Sequence, residues 1–202
     1  MYDCCIIAPS HLSIHNLKSQ SSEDIFEGAL IYSLDGLANW SDSIRVWTEG
    51  AIERDLPVYW MVSDWRFNNR DLALFDEAST FLPGARGHHR NIDSTLITTE
   101  HVSLLAKKGV QILDHMVTNY PSVELIFWCL YQRTRNHTSK TVPPEYAYDA
   151  MVRRYPSNVL DIDAFLNRFD VSFQNCVLDE GGHPNKLGYR LLSSMIRPHS
   201  HR

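Results

Sequence analysis

Short apolar runs alternate with stretches of helical periodicity along most of this chain, and that alternation constrains its fold more than any other feature. The clear runs span residues 4–8, 58–63, 123–130 and 159–162, and a weaker run spans residues 29–33. Buried strands of a parallel sheet read as continuous apolar runs because helices cover both faces of the sheet. The sequence therefore predicts an α/β fold: a three-layer α/β/α sandwich with a central parallel sheet of about five strands.

Helices are predicted in the segments between and after these runs, at residues 43–54, 95–119, 145–154 and 186–196. Asp93 or Ser94 is a candidate cap for the longest helix, and Gly109 inside it is a point where that helix could kink or divide. Between residues 64 and 93 the chain is polar and interrupted by glycine and proline, which indicates an elaborated surface loop. We expect the last residues, about 198–202, to form a flexible tail.

Length and composition narrow the class of protein. The 202 residues, 44% of them hydrophobic, fit a single domain over residues 1–202. A net charge of -5 argues against a nucleic-acid partner. We expect no membrane span and a cytoplasmic location, because the chain has neither a long apolar run nor a basic segment ahead of an apolar stretch at its N-terminus. The four cysteines lack zinc-type spacing and are expected to be reduced and structural.

Candidate functional side chains are sought just after the strands, because functional groups gather at the carboxyl ends of the strands in an open parallel sheet. Ser10 follows the first run directly. Its hydroxyl would stand at a strand-to-helix turn, where backbone N–H groups can face a developing oxyanion. On position alone, an ordinary helix-capping role for this serine is the simpler interpretation.

A histidine near the C-terminus favours a catalytic role for Ser10 over a capping role. His183 lies in the segment 179–185 (DEGGHPN), just before the last predicted helix, and Asp179 and Glu180 precede it. A neutral imidazole oriented by a carboxylate is an effective general base. Together with Ser10 and the polar loop of residues 63–69 after a middle strand, this segment would supply a nucleophile, oxyanion donors and a base in one topology.

On these motifs the chain resembles the SGNH, or GDSL-type, hydrolase family over nearly its whole length. Residues 6–11 (IIAPSH) are similar to the serine block of that family, and residues 180–185 (EGGHPN) are similar to its Asp-x-x-His block. The resemblance implies one flavodoxin-like domain without a cofactor, in which Ser10 is the nucleophile and His183 is the base. Glu180 stands where the family usually has aspartate, and either Glu180 or Asp179 would orient the imidazole.

The resemblance leaves several candidates for the oxyanion hole. The backbone of Ser10 would contribute one donor, and Gly36, in Asp35-Gly36-Leu37, would correspond to the glycine block of the family. The usual Gly-x-Asn-Asp block is absent, and residues 63–69 stand in its place, so Arg66 or Asn68 would supply the remaining donor.

The serine block itself departs from the family pattern. Ala8 and Pro9 occupy places where the family typically has glycine and aspartate. Proline has no N–H, so Pro9 removes one backbone donor near the nucleophile. We therefore expect the nucleophile turn to be shaped differently from that of the family.

The expected activity is serine-dependent ester hydrolysis or O-acyl transfer through an acyl-serine, on a small-molecule or saccharide acyl ester. The residues do not separate hydrolysis from transfer, and they do not give the oligomeric state. Small O-acyl groups such as acetyl, carried by a carbohydrate, are favoured by the resemblance and by four tryptophans near the predicted site loops. These are Trp40, Trp47, Trp60 and Trp65, and for any one of them packing in the core is the simpler interpretation.

Two other interpretations remain open from the sequence. The altered serine block and the missing donor block also fit a non-catalytic relative of the fold that binds a saccharide or acts as a scaffold. The second is a metal site, because His11 and His15 would share one helix face if a helix began near Leu12, and His88 and His89 are adjacent. No acidic residue accompanies these histidines at a suitable spacing, so we expect no metal.

Overall fold

The computed structural model describes residues 2–34, 41–62, 65–66, 99–128, 141–142, 151, 153–178 and 182–196. Seven strands lie in these ranges: β1 (Cys4–Pro9), β2 (Ala29–Leu34), β3 (Val58–Met61), β4 (Trp65–Arg66), β5 (Val123–Ile126), β6 (Thr141–Val142) and β7 (Val159–Leu160). Five of them form one sheet in the order β2-β1-β3-β5-β7, and every neighbouring pair in it is parallel. The short β4 and β6 form a separate antiparallel pair.

This sheet confirms the predicted fold class. Each of the five apolar runs contains one strand of the parallel sheet, including the weaker run that holds β2. The first strand lies second in the order, beside the edge strand β2, as in doubly wound flavodoxin-like sheets. The antiparallel pair β4–β6 was not predicted, because two residues are too few to show a period.

Strand β1 is the interior strand on which the first part of the chain is built. It pairs with β2 over its whole length, from Cys4↔Ala29 to Pro9↔Leu34, and with β3 from Cys5 to Ile7. All six of its residues are buried. Because β2 and β3 flank β1, the chain leaves the sheet after Pro9 from an interior strand and not from an edge strand.

Five α-helices accompany the sheet in the described part of the chain: α1 (Ile14–Ser19), α2 (Asp42–Ile52), α3 (Thr99–Asn119), α4 (Ile162–Arg168) and α5 (Lys186–Ile196). Side chains cap four of their N-termini. Backbone N–H groups in the first turns of α1, α2, α4 and α5 donate to the side chains of Ser13, Ser41, Asp161 and Asn185, respectively. Short 3₁₀ turns occur at Ser10–Leu12, Glu23–Phe26 and Phe173–Cys176.

The long helices match the sequence predictions more closely than the short ones. Helix α5 has the predicted bounds, α2 differs by two residues or fewer at each end, and α3 runs through Gly109 as one helix. Helices α1 and α4 were missed, because six or seven residues make fewer than two full turns. The predicted helix at 145–154, the cap candidates Asp93 and Ser94, most of the loop at 64–93 and the tail lie largely or wholly outside the described residues.

Helix α5 packs closely on the chain that precedes it. Its buried side chains recur along one face, at Tyr189, Leu191, Leu192, Met195 and Ile196. At Gly188 a side chain would collide with the backbone carbonyl oxygen of Cys176 and would lie 3.1 Å from Cβ of Pro184. The missing side chain of Gly188 therefore lets the first turn of α5 lie directly on the Phe173–Cys176 turn.

None of the helices in the ranges given above is both long enough and apolar enough to cross a membrane.

We expect Gly188→Ala to lower the free energy of unfolding by about 1–3 kcal/mol, because the added methyl group meets backbone and not a flexible side chain. Gly50→Ala is the matched control. Gly50 also lies in a helix, α2, but its added Cβ has no neighbour within 4 Å. That variant should be unchanged or more stable by about 0.5–1 kcal/mol, because alanine favours the helix. Urea unfolding of both variants measures the difference, and equal stabilities would contradict the close contact at Gly188.

Candidate functional site

Ser10 lies where the sequence predicted it, at the carboxyl end of β1. It begins the 3₁₀ turn Ser10–Leu12 immediately after Pro9. Its backbone carbonyl accepts hydrogen bonds from the N–H of Ser13 at 3.0 Å and from Nδ2 of Asn16 at 2.6 Å. These contacts tie the turn to α1 and hold the backbone of Ser10 in one conformation.

The following helix is capped by another serine. Ser13, and not Ser10, is the N-cap of α1, and its side chain accepts a hydrogen bond from the N–H of Asn16 at 3.3 Å. The 3₁₀ turn has Pro9 as its own N-cap residue. Ser10 is therefore not the cap of either turn or helix, and the residue is half-buried at the carboxyl end of β1.

The N–H that Pro9 lacks would have faced β3 and not the Ser10 turn. Cys5 donates its N–H to the carbonyl of Pro57, on the β3 side of the strand. Since successive N–H groups of a strand point to alternate neighbours, residues 7 and 9 also face β3. Pairing with β3 ends at Ile7↔Trp60, so Pro9 stands just beyond the last pair. The donor that proline lacks belongs to the end of the strand ladder and not to the Ser10 turn.

The segment around His183 is held by backbone contacts on both sides. Val177 and Pro184 form an antiparallel bridge, and the N–H of Leu178 donates to the carbonyl of His183 at 2.8 Å. Asn185 then caps α5, since its Oδ1 accepts the N–H of Gly188 at 3.0 Å. His183 thus precedes the helix cap by two residues, as the prediction of a histidine at the start of the last helix required.

Trp128, two residues after β5, holds the backbone directly before His183. Its indole N–H donates to the carbonyl of Gly182 at 2.8 Å, and the ring is fully buried beside Phe173 at a centroid distance of 4.9 Å. Gly182 has φ of 74°, a left-handed conformation that glycine adopts at little cost. The sequence therefore needs a glycine directly before His183 so that the chain can turn toward the sheet edge.

The serine turn and the histidine segment meet through two side chains. The rings of His11 and His183 are stacked, with centroids 4.8 Å apart and planes 22° from parallel. From α5, the hydroxyl of Tyr189 donates to the backbone carbonyl of His11 at 2.7 Å. Burial raises the pKa of Tyr189, which keeps this hydroxyl protonated and able to donate. The structure thus brings the residue next to Ser10 into contact with His183.

Several other predicted site residues lie outside the described residues: Asp179, Glu180, Gly36 and Asn68. The backbone of Arg66 is described, in β4, where it pairs with Thr141. Strand β2 ends at Leu34, directly opposite Pro9, and the hydroxyl of Ser33 donates to the Pro9 carbonyl at 2.6 Å. The strand that precedes Gly36 and the strand that precedes Ser10 therefore end side by side.

His11 and His15, which were considered as a metal pair, do not share a helix face. Ser13 is extended and α1 begins only at Ile14, so the two histidines belong to different elements. His11 is buried, with 7% of its surface exposed, whereas His15 is exposed. Among the residues whose side chains are described, no group of three or more histidine, cysteine or acidic residues is arranged to hold a metal ion. His88 and His89 lie outside those residues.

Two of the four tryptophans considered for sugar stacking pack against other residues of the protein. Trp60 is a fully buried residue of β3 and belongs to the core. Trp47 on α2 stacks in parallel on Tyr32 of β2, with ring centroids 4.9 Å apart. The side chains of Trp40 and Trp65 are outside the described part of the chain.

Three of the four cysteines lie in the described part of the chain. Cys4, Cys5 and Cys176 are buried free thiols. Burial raises the pKa of the Cys5 thiol to about 12, so it stays protonated near neutral pH. A thiol that is protonated and inaccessible is a poor nucleophile, and Cys5 is therefore not a candidate nucleophile.

His11, Tyr189 and Trp128 contact the candidate site, and the sequence did not identify them. His11 was considered only as a metal ligand, although its place beside Ser10 was a usable signal. Tyr189 and Trp128 looked like ordinary core aromatics, and nothing local to either residue shows that its polar atom reaches a distant loop backbone.

We expect Tyr189→Phe to disturb the two histidines, because the variant removes the hydrogen bond to the carbonyl of His11. Tyr59→Phe is the matched control, since the buried hydroxyl of Tyr59 donates at 2.9 Å to the carbonyl of Ile196, at the other end of α5. Each variant should lose about 1–2 kcal/mol of unfolding free energy. Only Tyr189→Phe should shift the imidazole proton resonances of His11 and His183 in NMR spectra. Equal shifts in both variants would refute this specific role of Tyr189.

No protein-family model and no curated protein matches this chain. Several solved structures match it at low sequence identity. A putative acylhydrolase from Bacteroides fragilis is 13% identical, with a TM-score of 0.48 over 98% of this chain and 85% of that chain. An acetylxylan esterase from Geobacillus stearothermophilus is 10% identical, with a TM-score of 0.47 over 98% of this chain and 94% of that chain.

A GDSL-like lipase from Bacteroides thetaiotaomicron is 11% identical, with a TM-score of 0.43 over 98% of this chain and 86% of that chain. These identities are too low to transfer a substrate or a residue role. The structural neighbours of the chain are GDSL-like lipases and acetylxylan esterases at low sequence identity.

Proposed function

We propose that this protein is a serine-dependent ester hydrolase or O-acyltransferase that works through an acyl ester on Ser10. The contact between the rings of His11 and His183 carries the proposal. It joins the turn that begins with Ser10 to the segment that holds an imidazole, although the two segments lie near opposite ends of the chain. A hydroxyl and a general base on adjoining segments are the minimum requirement for nucleophilic acyl transfer.

In the first half of the reaction, Oγ of Ser10 attacks the carbonyl carbon of the ester while His183 takes the hydroxyl proton. The tetrahedral intermediate then collapses, the bond to the alkoxy group breaks, and His183 returns the proton to the departing alcohol. Asp179 or Glu180 would hold the imidazole in the required tautomer and stabilise its protonated form. The products of this half are the free alcohol and an acyl-serine.

In the second half, a new nucleophile attacks the acyl-serine, and His183 again takes its proton and gives it to Oγ of Ser10. Water as the nucleophile releases a carboxylic acid, and a sugar hydroxyl yields a new ester. We extend the proposal to small acyl groups, such as acetyl, on a carbohydrate. This extension is supported by the motif resemblance, whereas Trp60 no longer supports it because that ring lies in the core.

The oxyanion would be held by the backbone N–H of Ser10 and by donors from Gly36, Arg66 or Asn68. The end of β2 opposite Pro9 supports Gly36, because that strand leads toward the edge where Ser10 stands. Removing one such donor typically slows a reaction by about 10²–10³-fold. Substituting each candidate in turn would therefore identify the donors.

The proposal predicts that a fluorophosphonate labels Ser10 covalently, since such reagents react with activated serine hydroxyls. Ser10→Ala should abolish labelling, and His183→Ala should slow it by about 10²–10⁴-fold, because the general base is lost. Intact-protein and peptide mass spectrometry identify the modified residue. Turnover of 4-nitrophenyl acetate by the same variants should fall in parallel.

Two matched controls separate chemistry from folding. Ser13→Ala removes the cap of α1 and should cost about 1 kcal/mol of stability while labelling continues. His15→Ala removes an exposed histidine of α1 and should leave both stability and labelling unchanged. A folded wild-type protein that is never labelled at Ser10 would refute the catalytic proposal and favour a non-catalytic saccharide-binding or scaffold protein.

A further inference from the structure

We infer that the ring of His11 is a platform that sets the orientation of the His183 imidazole, so that His11 is a positioning residue of the site. This inference rests on the proposed function, because it concerns how the proposed base is held. The observation behind it is the stacked contact between the two rings, 4.8 Å between centroids and 22° between planes. Stacking of this kind restricts the tilt of a ring about its own side-chain bonds.

His11 can orient another ring only if it is itself held in place, and both its backbone and its side chain are held. Its backbone lies in the 3₁₀ turn that follows β1, and its carbonyl accepts the hydroxyl of Tyr189 at 2.7 Å. Its side chain is buried, with 7% of the residue surface exposed. The position of this ring is therefore determined by the first strand and by α5 together.

The backbone of His183 is equally well held. The carbonyls of Gly182 and His183 accept hydrogen bonds from Trp128 and from the N–H of Leu178, both at 2.8 Å. Neither contact touches the imidazole. The stacked face of His11 is a contact on the imidazole itself, and it limits rotation about the two side-chain bonds of His183.

A contact through the ring face suits a general base. The two nitrogens of an imidazole lie on its edge, and a base uses one of them toward the nucleophile and the other toward an orienting acid. Stacking occupies the face and uses neither nitrogen. His11 can therefore hold the ring of His183 without competing for the atoms that would move protons.

The test replaces the ring of His11 in two ways. His11→Phe keeps an aromatic face, whereas His11→Leu keeps apolar bulk without one, and His11→Gln is a second ringless variant should His11→Leu fold poorly. We expect the ringless variants to label with fluorophosphonate about ten- to a hundredfold more slowly, since small misplacements of a catalytic group have costs of this size. His11→Phe should restore most of the wild-type rate, and the loss on 4-nitrophenyl acetate should fall on kcat and not on KM.

A second readout does not depend on catalysis. The ring current of His11 should shift the Hε1 resonance of His183, which is assigned by its absence in His183→Ala. We expect His11→Phe to keep this resonance displaced and the ringless variants to move it toward the usual position of a histidine.

The outcomes separate the two proposals. Labelling of a folded ringless variant at the wild-type rate would overturn the platform and leave the proposed function intact. Absence of labelling in the wild type would overturn the proposed function, and the Hε1 shift would then decide whether His11 orients His183. Rescue by phenylalanine together with the shift would support the inference.

Discussion

The interior position of β1 is the constraint on which the rest of this structure depends. A six-residue strand with every residue buried can exist only if neighbours satisfy both of its edges, and β2 and β3 do so. Its register with β2 is fixed along the whole strand, so the place where the chain leaves the sheet is fixed as well. This pairing sets where the 3₁₀ turn at Ser10 begins, and hydrogen bonds from α1 and from Tyr189 then hold the turn in place.

Helix α5 connects the other end of the chain to that strand. Tyr59 of β3 donates to the carbonyl of Ile196 at the end of the helix, and Tyr189 near its start donates to the carbonyl of His11. Gly188 allows the first turn to lie on the carbonyl of Cys176. These contacts set both the height and the rotation of the helix on the sheet. The segment with His183, directly before the helix, is carried to the Ser10 turn as a consequence.

The parts that could be predicted from sequence are those whose signal is local. Apolar runs gave all five strands of the main sheet, and the periodicity of residues 186–196 gave α5 with its bounds. The contact of His11 with His183 could not be predicted, because it depends on the register of β1 and on the packing of α5 at once. Trp60 was counted among four tryptophans near the predicted site loops, but its ring is fully buried in β3.

The residues that depart from the family pattern change the strand more than the turn. Ala8 is a buried strand residue paired with Ser33, and Pro9 follows the last pair between β1 and β3. The N–H that proline lacks would have continued that ladder, so its loss ends the pairing at the place where the chain must turn. The backbone of Ser10 begins beyond this point and keeps its own N–H. The altered serine block is therefore weak support for a non-catalytic protein, and the identity of the remaining oxyanion donors becomes the decisive question.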